Sequence, residues 1–150
     1  MRINKLTDYG IVIMTRIAAM DSNRIYTAKE LAKISKMPLP TVTRVLKTLS
    51  NEKILVSQRG NQGGYGLASS PSSISIASII EAFEGPIALT DCVSNESACS
   101  YENNCCTQEP WQKINQTVRT SLENIKLADM LETNQNNGLL QLDVGPGVKA

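Results

Sequence analysis

Residues 27–67 read TAKELAKISKMPLPTVTRVLKTLSNEKILVSQRGNQGGYGL, and the fold turns on them. Thr27-Ala28-Lys29-Glu30 is a capping box: the threonine hydroxyl accepts an early helix N–H, while the glutamate reaches back to the cap's own N–H. A short helix is predicted from Ala28 to about Lys36, with Leu31, Ala32 and Ile34 turned inward. Met37-Pro38-Leu39-Pro40 makes a tight connection. Proline is well tolerated in a helix's first turn, so a second helix should run from about Pro40 to Asn51. Within it Val42, Val45, Leu46 and Leu49 recur at helical spacing and make one apolar stripe. Thr41, Thr43, Arg44, Lys47 and Thr48 lie on the remaining surface, where short hydroxyls and long cations can reach base edges and phosphates. Ile54–Ser57 and Tyr65–Ala68 then read as two strands. Their connection carries Arg59 and glycines 60, 63 and 64, which permit positive φ and a close approach of backbone to phosphate. Helix–turn–helix followed by a two-stranded hairpin is the winged-helix arrangement. Its wing tip lies along the DNA backbone or in the minor groove, where arginine is favoured.

Working outward, Thr7 and Asp8 are good caps for a helix from Tyr9 to about Met20 that is apolar on most faces. Ser75 can cap a helix from Ile76 to Glu84, and Gly85-Pro86 is a stop signal. Pro110 opens a long helix, Trp111 to about Met130. Trp111, Ile114, Val118, Leu122 and Ile125 form its stripe, which needs a partner surface, either the chain's own core or the same helix of a second subunit. Dimerisation suits a repressor that reads two half-sites with twofold symmetry. The polar stretch from Thr133 reads as a disordered tail.

Charge divides the chain the same way. Residues 1–66 hold eleven Lys/Arg and four Asp/Glu, a net of +7, whereas residues 67–150 hold four and ten, a net of −6. Only the front half is therefore suited to a polyanion. No apolar run approaches the roughly 20 residues needed to span a bilayer. MRINKLTDYG has no apolar segment behind its basic residues, so no secretory signal is expected and the predicted setting is the cytoplasm, without a membrane partner. The chain has no histidine base, no nucleophile motif and no phosphate-binding glycine loop at a strand–helix junction, which argues against an enzyme. The expected fold class is mainly α with a small β-hairpin wing, a winged helix-turn-helix plus a long dimerisation helix. The expected division is 1–70 for the DNA-binding domain, 71–132 for connecting helix, cysteine loop and dimerisation helix, and 133–150 for the tail.

Residues 92–106, CVSNESACSYENNCC, hold all four cysteines, spaced Cys92-x6-Cys99-x5-Cys105-Cys106. Paired C-x2-4-C knuckles of a zinc finger are absent, as is the two-residue spacing of ferredoxins. In a reducing compartment disulfides are disfavoured. Soft thiolates at wide spacing suit an iron–sulfur cluster. Zinc or another ion, and thiol redox sensing, stay open on the chemistry alone.

The start MRINKLTDYG, the wing RGNQGGYGL, the segment ISIASIIEAFEG, the spaced cysteines and Trp111 together resemble the IscR/NsrR family of winged-helix regulators, over about residues 1–132. The likeness is nearest to regulators of SUF-type iron–sulfur assembly. It implies a homodimeric transcription factor, acting as a repressor of iron–sulfur assembly genes on double-stranded operator DNA. It also implies an iron–sulfur cluster, 2Fe–2S or 4Fe–4S, held by Cys92, Cys99 and Cys105; Cys105 stands six residues before Trp111, as the family's third cysteine does. Two departures follow. The first gap is six residues where five is common, and the position of the assembly regulators' histidine ligand is Gln108. Asp8 matches the aspartate that nitric-oxide-sensing relatives supply from the other subunit; its alternative role is a first-turn carboxylate on the helix dipole. Cys106 is the other candidate for a fourth ligand, with Glu109 behind it. DNA contacts are expected from Thr41, Thr43, Arg44 and Lys47, and from Arg59, Gly63 and Gly64 of the wing. A nitric-oxide- or redox-sensing repressor and a small cluster carrier are the rival readings.

Overall fold

A computed structural model of the chain describes residues 2–93 and 106–131. Cys99 and Cys105, and the proposed tail, lie outside the described residues. The order is α1 (Lys5–Ala19), α2 (Ala28–Ser35), α3 (Leu39–Asn51), β1 (Leu55–Gln58), β2 (Gly64–Leu67), α4 (Ile76–Glu84), a 3₁₀ turn at Asp91–Val93, and α5 (Gln108–Asn124). This is the expected helical fold with one antiparallel hairpin, registered Leu55 with Leu67 through Gln58 with Gly64.

Helix α1 begins earlier than expected. Asn4, not Thr7 or Asp8, is its cap, and its side chain accepts from the N–H groups of Leu6 and Thr7. Thr7 is fully buried and its hydroxyl donates to Glu84 at the end of α4, 2.5 Å away. The capping box of α2 forms as read: Thr27 Oγ1 accepts from Glu30 N–H, and the Glu30 carboxylate accepts from Thr27 N–H. Ile34, by contrast, is exposed and not inward. Ser75 caps α4 by accepting from Ser78 N–H, and Gly85 ends it at φ 80°.

One core unites these parts. Ile13, Met14 and Ile17 of α1, Leu31 of α2, the four-residue stripe of α3, Leu55 of β1 and Ile79 of α4 are all buried, together with Leu127. The stripe of α3 is wholly inaccessible, as the 3–4 spacing required. Helix α5 stops at Asn124, short of Met130, because the chain beyond it turns extended and pairs with the entrance to α4. Ile76 N–H donates to Ile125 C=O at 2.9 Å, and Leu127 N–H to Ile74 C=O at 2.8 Å. Leu127 thereby enters the core, while Trp111, Ile114 and Ile125 stay exposed along α5 and Val118 and Leu122 only half-buried.

Candidate nucleic-acid interface and cysteine segment

The link between α2 and α3 is tight because Lys36 takes a left-handed conformation, φ 54° and ψ 40°, and Met37 N–H closes onto Ala32 C=O at 3.1 Å. Pro38 then precedes α3 with no side-chain cap, so the first-turn N–H groups of α3 are not claimed by a capping side chain. With the stripe buried, the opposite face carries Pro40, Arg44, Lys47 and Asn51, all exposed, at i, i+4, i+7 and i+11. Arg44 and Lys47 form no salt bridge among the described residues. Thr41 and Thr43 flank them half-buried, so the four residues expected to meet DNA share one accessible side of α3. Thr48 differs, since its hydroxyl donates to Arg44 C=O at 3.1 Å.

The wing is more than a hairpin. Tyr26 and Tyr65 exchange two backbone hydrogen bonds, of 2.9 and 2.7 Å, which adds the approach to α2 as a third strand-like edge. The stretch Arg24-Ile25-Tyr26 is short and ordinary, and only its place directly before the capping box hinted at such a role. Gly64 is required here because a Cβ would run into the Tyr26 carbonyl. Gly63 is required for a similar reason, with Gln58 O only 2.5 Å from where its Cβ would be. Both glycines thus serve close packing of the wing on its own backbone; of the wing's three loop glycines, 60, 63 and 64, only Gly60 combines positive φ, 107°, with open space. Arg59 stands exposed at the tip. Arg24 lies 4.9 Å from the Tyr26 ring centre and pairs with Glu30 at 2.9 Å. The Glu30 carboxyl is held below its usual range by the Thr27 N–H, then by the Thr27 hydroxyl and the Arg24 charge.

The cysteine segment is described only at its two ends. Cys92 lies in the 3₁₀ turn, which packs against α5, and Cys106 is exposed two residues before α5 begins. Both ends of the loop therefore return to the same helix. Ahead of it the chain is fastened twice. Glu84 accepts from Asn4 N–H at 2.9 Å and from the Thr7 hydroxyl, which lowers its pKa with the hydroxyl as the larger cause. Asn115 of α5, only 7% exposed, donates to Ile87 C=O and accepts from Leu89 N–H, each at 3.0 Å. Asp8 is exposed in the first turn of α1. No helix among the described residues is long and apolar enough to cross a membrane.

The chain is similar to known transcriptional regulators. An Aquifex aeolicus protein described as an HTH-type transcriptional regulator is 24% identical over 131 residues, covering 86% of this chain and 90% of that protein. CymR of B. subtilis, the global cysteine regulator, matches with a TM-score of 0.67 and 25% identity, covering 88% of this chain and 97% of its own. IscR of T. potens has the same fold, with a TM-score of 0.67 at 24% identity, covering 94% of this chain and 93% of its own. The family model for Rrf2, iron-dependent transcriptional regulator, matches residues 3–133. The chain belongs to the Rrf2 family, which includes the IscR/NsrR regulators it resembles, and is a transcriptional regulator, not an enzyme.

Proposed function

We propose that the chain is a homodimeric repressor that senses iron–sulfur cluster status and controls iron–sulfur assembly genes. The observation that carries DNA binding is the accessible face of α3, where Arg44 and Lys47, in no salt bridge among the described residues, stand above a fully buried stripe. Thr41, Thr43, Arg44 and Lys47 contact double-stranded operator DNA in the major groove, and Arg59 with Gly63 and Gly64 contacts it from the wing. The proposed layout is a DNA-binding domain over 1–70, a sensing and dimerising part over 71–132, and a tail over 133–150. The exposed apolar side of α5 faces the second subunit.

Cys92, Cys99 and Cys105 hold the cluster. The donor set fits: three soft thiols stand close together in the sequence, the turn that carries Cys92 packs on α5, and the chain has no histidine to compete. Asp8 of the partner subunit completes the set, with Cys106 as its competitor. When bound, the cluster supplies a signal-sensitive cross-link of the loop. The chain's own residues convert this into spacing: thiolates gathered beside α5 fix the loop on the dimerising helix and so set the distance between the two recognition helices. Moving such an equilibrium from 1:99 to 99:1 takes about 5.5 kcal/mol of preference for one geometry.

Anaerobic isolation, with iron and sulfide analysis and visible absorption, tests this for wild type, Cys92→Ser, Asp8→Ala and Cys106→Ser. The wild type should carry iron and sulfide, Cys92→Ser should lose them, and one of the other two should weaken retention. A colourless, iron-free wild type that accepts no reconstituted cluster would refute the sensing role. A second reading, a nitric-oxide- or redox-sensing repressor on the same scaffold, is favoured by the exposed Asp8 and the exposed Cys106 thiol. Operator release by nitric oxide but not by iron starvation would select it. A small cluster carrier accords less well with relatives that are transcriptional regulators.

A further inference from the structure

The stripe of α5 contains an anomaly. Trp111, Val118 and Leu122 are apolar at helical spacing, yet Asn115, four residues after the tryptophan and three before the valine, lies in the same row and is the most buried side chain of the helix. A buried amide is costly unless both its donor and its acceptor are used. Here both are used on one short segment: Nδ2 donates to Ile87 C=O and Oδ1 accepts from Leu89 N–H. Those backbone groups lie 28 and 26 residues away in sequence, and Leu89 stands three residues before Cys92. An apolar residue at 115 would fill the space but leave two partly buried backbone groups without this partner. Glu84 fixes the start of the same segment onto α1 through Asn4 and Thr7, so the approach to Cys92 is held at one end by the DNA-binding half and at the other by α5.

We propose that Asn115 is a positioning residue for Cys92, the first of the proposed ligands. Resting on the iron–sulfur reading above, it seats residues 87–89 on α5, fixes where Cys92 joins the ligands, and so governs how firmly the cluster is retained. Its amide also ties residues 87–89 to α5, so that the approach to Cys92 and the helix form one unit, which the proposed switch requires.

The test uses the full chain, isolated anaerobically, as wild type, Asn115→Leu, Asn115→Asp and Leu49→Ala. The last lowers stability in the core of the DNA-binding half without touching the clamp. Three rates are compared: cluster loss to a chelator followed by visible absorption, amide exchange at Leu89, and alkylation of Cys92 by iodoacetamide in cluster-free protein. Asn115→Leu should accelerate each by about tenfold, the lower range for outer-shell changes at metal sites. Asn115→Asp, which keeps the acceptor for Leu89 N–H, should fall between it and wild type. Leu49→Ala should stay near wild type. Wild-type rates of Leu89 exchange and Cys92 alkylation in Asn115→Leu overturn the proposal, as does an equal acceleration by Leu49→Ala. If the wild type holds no iron or sulfide, the sensing role fails, while exchange and alkylation still decide what Asn115 does.

Discussion

Thr7 shows how one side chain can mislead a local reading and then explain a long-range one. Beside Asp8 it looks like a helix cap, but its hydroxyl is spent on Glu84, 77 residues away, and Asn4 caps the helix instead. No pattern near residue 7 announces a partner at residue 84. The pKa of Glu84 is lowered in the folded protein, so the stabilisation it brings is present above its ordinary value of 4.5 and is lost as pH falls through the lowered folded value. Thr7→Val removes the donor. At neutral pH it should lower the melting temperature by about 3 °C, and thermal melts across pH should show the gap closing below the carboxylate range. A gap that is constant from pH 7 to pH 3 would disconnect Thr7 from the charge of Glu84. Arg44 and Lys47 are the opposite kind of residue, fully legible because the spacing that buries Val42, Val45, Leu46 and Leu49 leaves them outside.

Among the elements, those set by local chemistry match their sequence signals closely. The capping box of α2, the serine cap and glycine stop of α4 and the stripe of α3 each depend on residues within a few positions of one another. Elements closed by distant pairing do not. The end of α5 is decided by residues 74–76, and the third edge of the wing by Tyr26. The glycines of the wing were legible as necessary, but the need comes from Gln58 and Tyr26 as much as from backbone freedom. Gly64→Ala should therefore cost more than about 1 kcal/mol in denaturant unfolding, since the added methyl meets backbone that cannot rotate away. Stability equal to wild type would show that the Tyr26 edge is loose in solution.

At the scale of the molecule, the described chain leaves one side of α5 uncovered, with Trp111 and Ile114 both exposed. Ile114→Glu should weaken self-association by at least about tenfold in sedimentation equilibrium, while leaving the melting of the dilute protein unchanged. An unaltered association constant would place the subunit contact elsewhere. The residue types and spacing of the cysteine segment left a cluster, another metal ion and thiol redox chemistry open, and the resemblance alone pointed to a cluster held by Cys92, Cys99 and Cys105. A fourth ligand for the proposed cluster was not legible, because the choice between Asp8 and Cys106 depends on how the chain meets a second subunit. The mutual hydrogen bonds of Tyr26 and Tyr65 bear on this scale too. They join the approach to α2 to the wing, and the shared core joins α3 to β1, so each reading head is one stiff jaw. In the proposed dimer two such jaws would act as a calliper: a change of cluster state would alter the gap between them without bending either. On that proposal, operators that differ in half-site separation would be told apart by the cluster state of the dimer, whereas the bases preferred within each half-site would stay the same in both states.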